Sequence, residues 1–460
     1  MFTSDGSGKQ TNISIKRLAL IGSRLLLLSI IFVFSFAIPV SAEPEAVFTG
    51  CLNQHSGELH KVAIGLEPLG TCNPAEVQVT WSSGVPGVEG RITALETRIA
   101  ELENDLAPLD VTVNCPDESI GSALQQAGNR PAHVTITIYG TCKEQVVIAR
   151  DNTTLHGASP GDGIQAPSPG GIVLALKARN IALDQLTLTG GGEGIRGSNA
   201  ASFSAEAVHI SGSTNGVYVE QNAAGDLYNS TIENTYIGVL ASTGGAVRMF
   251  GGRIDANTAH GAEASFGGYI GLYDGTVLRN SQFIAVHARE GGIIDISNAT
   301  VENNDFGVFA IGGGHVTISN GSIIQHNTRG GVAADGSSSI WLKGGSHVSN
   351  NDGSGVGAGS SSSLVLQDVI IEHNGNDGIS VGGGATARFD GGTIIQNNIG
   401  HGISLGEMSA AIFHDNTVQI VGNTGIAIRC SPGAVAQIFG APGTINGNGS
   451  DLIECPLSFP

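Results

Sequence analysis

Several things are scarce in this chain of 460 residues, and each scarcity excludes something. Basic residues are few: 21 Lys and Arg stand against 40 Asp and Glu, a formal net charge of −19. That balance argues against a nucleic-acid partner and against an anionic membrane surface. Cysteine is absent from residues 143–429, and the six cysteines present show no CxxC spacing. Zinc held by cysteines is therefore not expected, and no other metal or cofactor is indicated. Past residue 160 no stretch reads as a helix, which excludes a leucine-rich horseshoe, and no blade of about 40 residues appears, which excludes a propeller. Aromatics are only 5% of the chain. A core filled by Val, Ile, Leu and Ala suits a narrow, close-packed tube.

What the chain has instead is a repeat. A small residue followed by an aliphatic one recurs at 194, 216, 238, 261, 285, 307, 331, 355, 378, 402 and 425, in steps of 22 to 24. Apolar alternation around each anchor points to strands. Two strands per repeat are legible, as in Val217-Tyr218-Val219 and, about ten residues on, Val247-Arg248-Met249-Phe250. Pairs such as Asp274-Gly275 and Asn320-Gly321 mark turns that tolerate left-handed backbone. An Asn stands four residues before most anchors (234, 257, 303, 327, 351, 374, 398), placed to form a hydrogen-bonded ladder between rungs. A single rung cannot bury its apolar face, but rungs stacked about 4.8 Å apart can. The fold expected is all-β: a parallel β-helix of about 23 residues per rung.

The N-terminal 42 residues read as an export signal. Lys9, Lys16, Arg17 and Arg24 precede the apolar run Leu25–Ile38, and Val40-Ser41-Ala42 fits a cleavage site. The run is too short for a membrane span, so no membrane insertion is expected after cleavage; an uncleaved anchor is the alternative. Cleavage would leave 17 basic and 39 acidic residues. Cys51/Cys72, Cys115/Cys142 and Cys430/Cys455 form three local pairs. Of the fifteen possible pairings, the sequential one brackets three separate units, and an oxidising compartment fits the signal. The expected location is secreted, periplasmic or cell-surface.

Residues 43–87 form a small two-Cys module and linker. Residues 88–109 carry apolar positions at 88, 92, 95, 99, 102, 106 and 109, a heptad seam. Arg91-Ile92-Thr93-Ala94-Leu95-Glu96 and Arg98-Ile99-Ala100-Glu101-Leu102-Glu103 each resemble the trimer-specifying motif of short parallel coiled coils. That resemblance implies a homotrimer over a dimer; a helix packed on its own chain is the alternative. Residues 110–160 read as an N-terminal cap. Its helix has the face Ile120, Ala123, Leu124 and Ala127, capped by Asp117 or Ser119, ahead of the strand Val134–Ile138. Residues 161–460 are the tube with its C-terminal disulfide cap.

On these rungs, residues 110–455 resemble the right-handed parallel β-helix proteins of the pectin-lyase-like superfamily. The resemblance implies the fold and leaves activity open, because that fold hosts lyases, hydrolases, epimerases, tailspikes and adhesins. Gly400-His401-Gly402 matches a short motif of polygalacturonases, but Gly402 is a repeat anchor, and the paired-Asp strings of those enzymes are missing. The Asp-Pro-His-Asp string of alginate epimerases is missing too. No catalytic residue is assigned. On the first-strand face, Glu263, His287 and Phe309 share one row and Arg289 and Asp335 the parallel row, gathering acid, base and aromatic groups on a single face. On the second-strand face stand Trp341 and Lys343, then Arg388 and Asp390. Glu263, His287, Arg289, Phe309, Asp335, Trp341 and Lys343 are candidates for carbohydrate binding, with Phe309 and Trp341 as stacking platforms. The expected function is a non-catalytic, glycan-binding or adhesin-like β-helix. The alternative is a polysaccharide lyase or glycoside hydrolase acting near Glu263, His287, Arg289 and Asp335.

Overall fold

A computed structural model describes residues 46–82, 88–439 and 443–458. The export-signal segment and the linker at 83–87 lie outside the described residues. The chain forms two compact units, divided between Ala100 and Glu101. No helix among the described residues is long and apolar enough to cross a membrane.

The first unit contains a three-stranded antiparallel sheet: β1 (Val47–Asn53) lies between β2 (Leu59–Ile64) and β3 (Glu76–Ser82). Cys51 bonds to Cys72, and Phe48 stacks on Trp81 at 6.0 Å. Helix α1 spans Val88–Leu106. Leu109, expected to close the heptad seam, instead begins a strand. Pro108 cannot continue a helix and disfavours helical backbone at Ala107. The seam residues Ile92, Leu95, Ile99, Leu102 and Leu106 are exposed, between 45% and 62%.

The second unit is a parallel β-solenoid of about 15 turns. Each turn contributes one strand to each of three parallel sheets, S1, S2 and S3, of 14, 16 and 14 strands. One turn runs Asn215–Val219 in S1, Ala224–Tyr228 in S2, Thr231–Glu233 in S3, then returns to S1 at Ile237–Ser242. The S3 strand is the one the alternation rule misses. It is three residues long and presents a single inward side chain, so no apolar alternation marks it. Stacked turns pair in register: Val217 with Val239, Val247 with Ile270, Ile232 with Ile254. A slip of one residue would turn every core side chain outward, so the pattern itself sets the register.

The core is a column of aliphatic side chains at or near zero exposure, among them Val286, Val308, Ile294, Ile296 and Ile324. The anchor glycines have a steric cause. A Cβ on Gly238 would lie 2.4 Å from the carbonyl oxygen of Gly261 and 2.5 Å from Ile254 Cγ2. The last anchor is displaced: Ile403 pairs with Ile428, so Ala427 rather than Gly425 follows Gly402 in the stack. The final turn is longer, and Gly425 fits against His401 and the Gly400 carbonyl, where a Cβ would sit within 2.8 Å of both.

An asparagine ladder exists with partly different members. Asn304, Asn327, Asn351, Asn374, Asn398, Asn423 and Asn448 form it, each side-chain amide donating to the next residue's Oδ1 at 2.8–3.0 Å. Asn234 and Asn303 are instead turn residues with φ of 55° and 56°. Asn257 is buried and accepts from Thr235, but its own amide nitrogen has no partner. The next turn carries Ser281, which cannot reach it.

The solenoid begins earlier than residue 161. Leu109–Asn114 and Val134–Tyr139 are already the first two strands of S2. Helix α2 (Ile120–Ala127) is capped by Ser119, whose hydroxyl accepts from the Ser122 N–H, and it buries Ile120, Ala123 and Ala127. Glu144 accepts from the N–H groups of Ile120 and Gly121, placing a carboxylate at the helix N-terminus. Cys115 bonds to Cys142, and Cys430 to Cys455, at the two ends of the stack.

Candidate functional site

Parallel register turns one outward position of S1 into a continuous row. It reads Leu240, Glu263, His287, Phe309, Ala333, Gly357, Ser380 and Ser404. Glu263, His287 and Phe309 are therefore neighbours one rung apart, as the repeat predicts.

Their environment is not that of a solvated face. Glu263 is only 4% exposed although it points away from the core. Its Oε1 accepts from Arg289 Nε at 2.8 Å. Its Oε2 lies 3.5 Å from His260 Nε2 and 3.7 Å from His287 Nδ1. Arg289 also reaches Glu290 at 2.9 Å and covers the Phe266 ring at 5.9 Å. Burial alone would raise the Glu263 pKa. Its contacts with His287 and Arg289, and the guanidinium charge, outweigh that and hold it at about 2. Burial pushes His260 down to about 4, reinforced by His287 beside it. His260 lies 4.7 Å from His287, ring centre to ring centre, and 5.6 Å from Phe283. The Nδ1 atoms of both histidines are buried without a hydrogen-bond partner.

His260 is the member that sequence reasoning overlooks. It precedes the anchor Gly261, three residues before Glu263 on one strand. The available signal was its spacing to Glu263, obscured because an anchor-flanking His also occurs at 401. That second histidine is structural: its Nδ1 accepts from the Ile426 N–H at 2.9 Å.

Phe309 marks a boundary. On one side it stacks on His287 at 6.0 Å and meets Phe306 edge-on at 5.7 Å. On the other side the row loses its side chains. Ala333, Gly357 and Ser380 leave a trough of about 700 Å³, lined also by Phe306, Arg329, Asp335 and Asn376. Arg329 pairs with Asp305 at 3.4 Å, and Asp335 Oδ1 accepts from the Gly336 N–H. Asp335 thus belongs to the trough, beyond Phe309 from the Glu263 cluster. The rungs that look bare in sequence form the concavity because they are bare.

Trp341 and Lys343 lie on a different sheet, S2. Trp341 is 46% exposed, with Lys343 Nζ at 5.4 Å from its ring centre. With Val365, Gln367, Arg388 and Asp390 they line a hollow of about 210 Å³. Arg388 and Asp390 pair with each other at 3.0 Å. The two predicted groups therefore form two separate sites. An aromatic stack, Tyr228–Phe250–Tyr273, runs across three rungs of S2 with ring centres 5.1 and 5.3 Å apart.

Residues 284–436 match the family model described as "right handed beta helix region". No curated protein sequence matches the chain. Solved structures similar in fold include the A-module of Azotobacter vinelandii mannuronan C-5 epimerase AlgE6, at 15% identity over 71% of this chain and 92% of that one, TM-score 0.30. Another is the Agl-KA catalytic domain, at 12% identity over 85% and 84%, TM-score 0.40. A third is the catalytic domain of a GH87 α-1,3-glucanase bound to nigerose, at 15% identity over 74% and 69%, TM-score 0.37. Similarity at this level assigns no residue a role. Over residues 284–436 the family described as right-handed is matched where the strand register shows a parallel β-helix.

Proposed function

We propose that this is an exported β-helix protein that binds a polysaccharide along S1 without cleaving it. The observation that carries this reading is the step in the outward row at Phe309: an aromatic ring at the head of an open trough running across rungs. A sugar ring can stack on Phe309 while its hydroxyls meet Arg329, Asp335, Asn376 and Ser380. An extended chain lying along the solenoid axis would contact successive rungs. Two-carboxylate glycoside hydrolysis needs a second acid in the same groove. Among the described residues lining the trough, Asp335 is the sole carboxylate, and Glu263 is held by Arg289. Export rests on the apolar leader and on three disulfides, which suit an oxidising compartment.

The test is a polysaccharide panel offered to the purified protein. Saturable binding without new reducing ends or 235-nm absorbance supports the proposal. Turnover abolished by Asp335→Asn would establish the enzyme reading instead, and absence of binding to every glycan would remove both.

We also propose that α1 joins three chains. Its exposed seam alternates Ile at 92 and 99 with Leu at 95 and 102, and Arg and Glu flank each pair. Light scattering should give three chains, and one chain with Ile92→Asp and Ile99→Asp. A monomeric parent would refute it.

A further inference from the structure

We propose that His260, Glu263 and His287 form a binding site for a divalent transition metal of the zinc class. The proposal is independent of any saccharide. Cysteine spacing offers no zinc site, and this one uses no cysteine.

The donor set is two imidazoles and one carboxylate, and one ligand atom from each lies within 4.8 Å of the others. Glu263 Oε2 stands 3.5 Å from His260 Nε2 and 3.7 Å from His287 Nδ1. Both separations are too long for good hydrogen bonds. Both are slightly wider than the edge of about 3.3 Å that a tetrahedron with bonds of about 2.0 Å requires. A small inward rotation of the side chains would close them on a cation.

Three further observations point the same way. His287 Nδ1 is buried and faces Glu263, yet has no hydrogen-bond partner. A metal ion would satisfy it. Arg289 occupies Oε1 and leaves Oε2 directed at the histidines, the role of an outer partner that orients a ligand. Phe283 stands beside His260 at 5.6 Å and Phe309 stacks on His287 at 6.0 Å, so an apolar ring backs each imidazole. The fold explains the geometry. His260 and Glu263 share one strand at i and i+3, and His287 is the register partner of Glu263 on the next rung. No loop is required. Three protein ligands leave at least one coordination position open, the arrangement of zinc sites that act on a bound molecule.

The test uses the full mature chain, stripped with chelator, and no saccharide. Zn²⁺ is titrated against a competing chromophoric chelator, and Co²⁺ serves as a spectroscopic probe. The expected result is one equivalent per chain and an intense visible Co²⁺ band of a four-coordinate site. His287→Gln and His260→Gln should each weaken Zn²⁺ by at least about tenfold, the loss that even an outer partner's removal causes. Both should keep the β circular dichroism of the parent. Two variants are used because Glu263→Gln would take from Arg289 one of its two carboxylate partners and could unfold the region. His347→Gln removes a histidine paired with Glu372 at 2.9 Å outside the cluster, and should bind as the parent does. Sub-stoichiometric binding by the parent, or parent-like affinity in both His variants, would overturn the proposal and leave the cluster a charge network.

Discussion

Within sheet S1, the turns carrying residues 260–309 and those carrying residues 330–404 share one core and one register but present opposite surfaces. Inward they are equivalent: Val286, Val308, Val332, Val356 and Ile379 all have 0–1% exposure. Outward, the first group packs His260, Glu263, His287, Arg289 and Phe309 together. The second offers Ala333, Gly357, Ser380 and Ser404. The solenoid separates two tasks. Inward residues hold the stack, and outward residues are free to vary because they fill no core volume. A site in such a fold is a local departure from the repeat, either a crowding or a vacancy, and here the two adjoin at Phe309.

The largest effect is expected in the core. Ile294→Ala in the crowded turns and Ile379→Ala in the bare ones should each cost about 2–5 kcal/mol, because both side chains are fully buried. Urea unfolding of each variant checks this. A negligible loss in either would break the claim that the two regions share one kind of core. The next effect separates the surfaces. Arg289→Ala removes the bond to a buried carboxylate and should cost about 2 kcal/mol. Ser404→Ala should stay within about 0.5 kcal/mol of the parent. Equal stabilities would mean that the Glu263 cluster is no more integral than the bare row.

A smaller effect of opposite sign is expected at the gap in the asparagine ladder. Ser281→Asn would give the Asn257 amide an acceptor and extend the ladder through Asn304. Gly261 faces position 281 as Gly331 faces Asn351, so the larger side chain has room. The variant should be more stable by about 1 kcal/mol, read as a higher denaturation midpoint. A destabilised variant would show that the orphaned amide is not the defect it resembles. The last effect concerns binding alone. Phe309→Ala should weaken a bound saccharide by about 1 kcal/mol, roughly fivefold, while the β circular dichroism stays that of the parent. Calorimetry decides it, with Ser404→Ala as the control. Ser380, although on a bare rung, lines the trough and cannot serve. Equal affinity in both variants would place the ligand elsewhere.

Much of the solenoid was legible because period and alternation are one-dimensional signals. Gly238 and its equivalents recur because a Cβ there would strike the next turn's backbone. The S3 strand was not legible, since one inward residue makes no pattern. The start of the stack was missed because its first two S2 strands flank helix α2, so the repeat there has no regular spacing. The ladder was read one residue off at 303, where two asparagines adjoin and only backbone conformation tells which turns inward.

The sequence by itself determined the parallel stack, its register and which residues share the row through Glu263, His287 and Phe309. Those follow from the pleat's period of two and from a turn of nearly constant length. Only the tertiary structure decided that Glu263 is buried, that His260 joins it and that Asp335 belongs to the trough. Burial and cavity volume depend on what neighbouring turns place above and below a side chain. Small residues show nothing in a sequence until stacking reveals the space they leave empty.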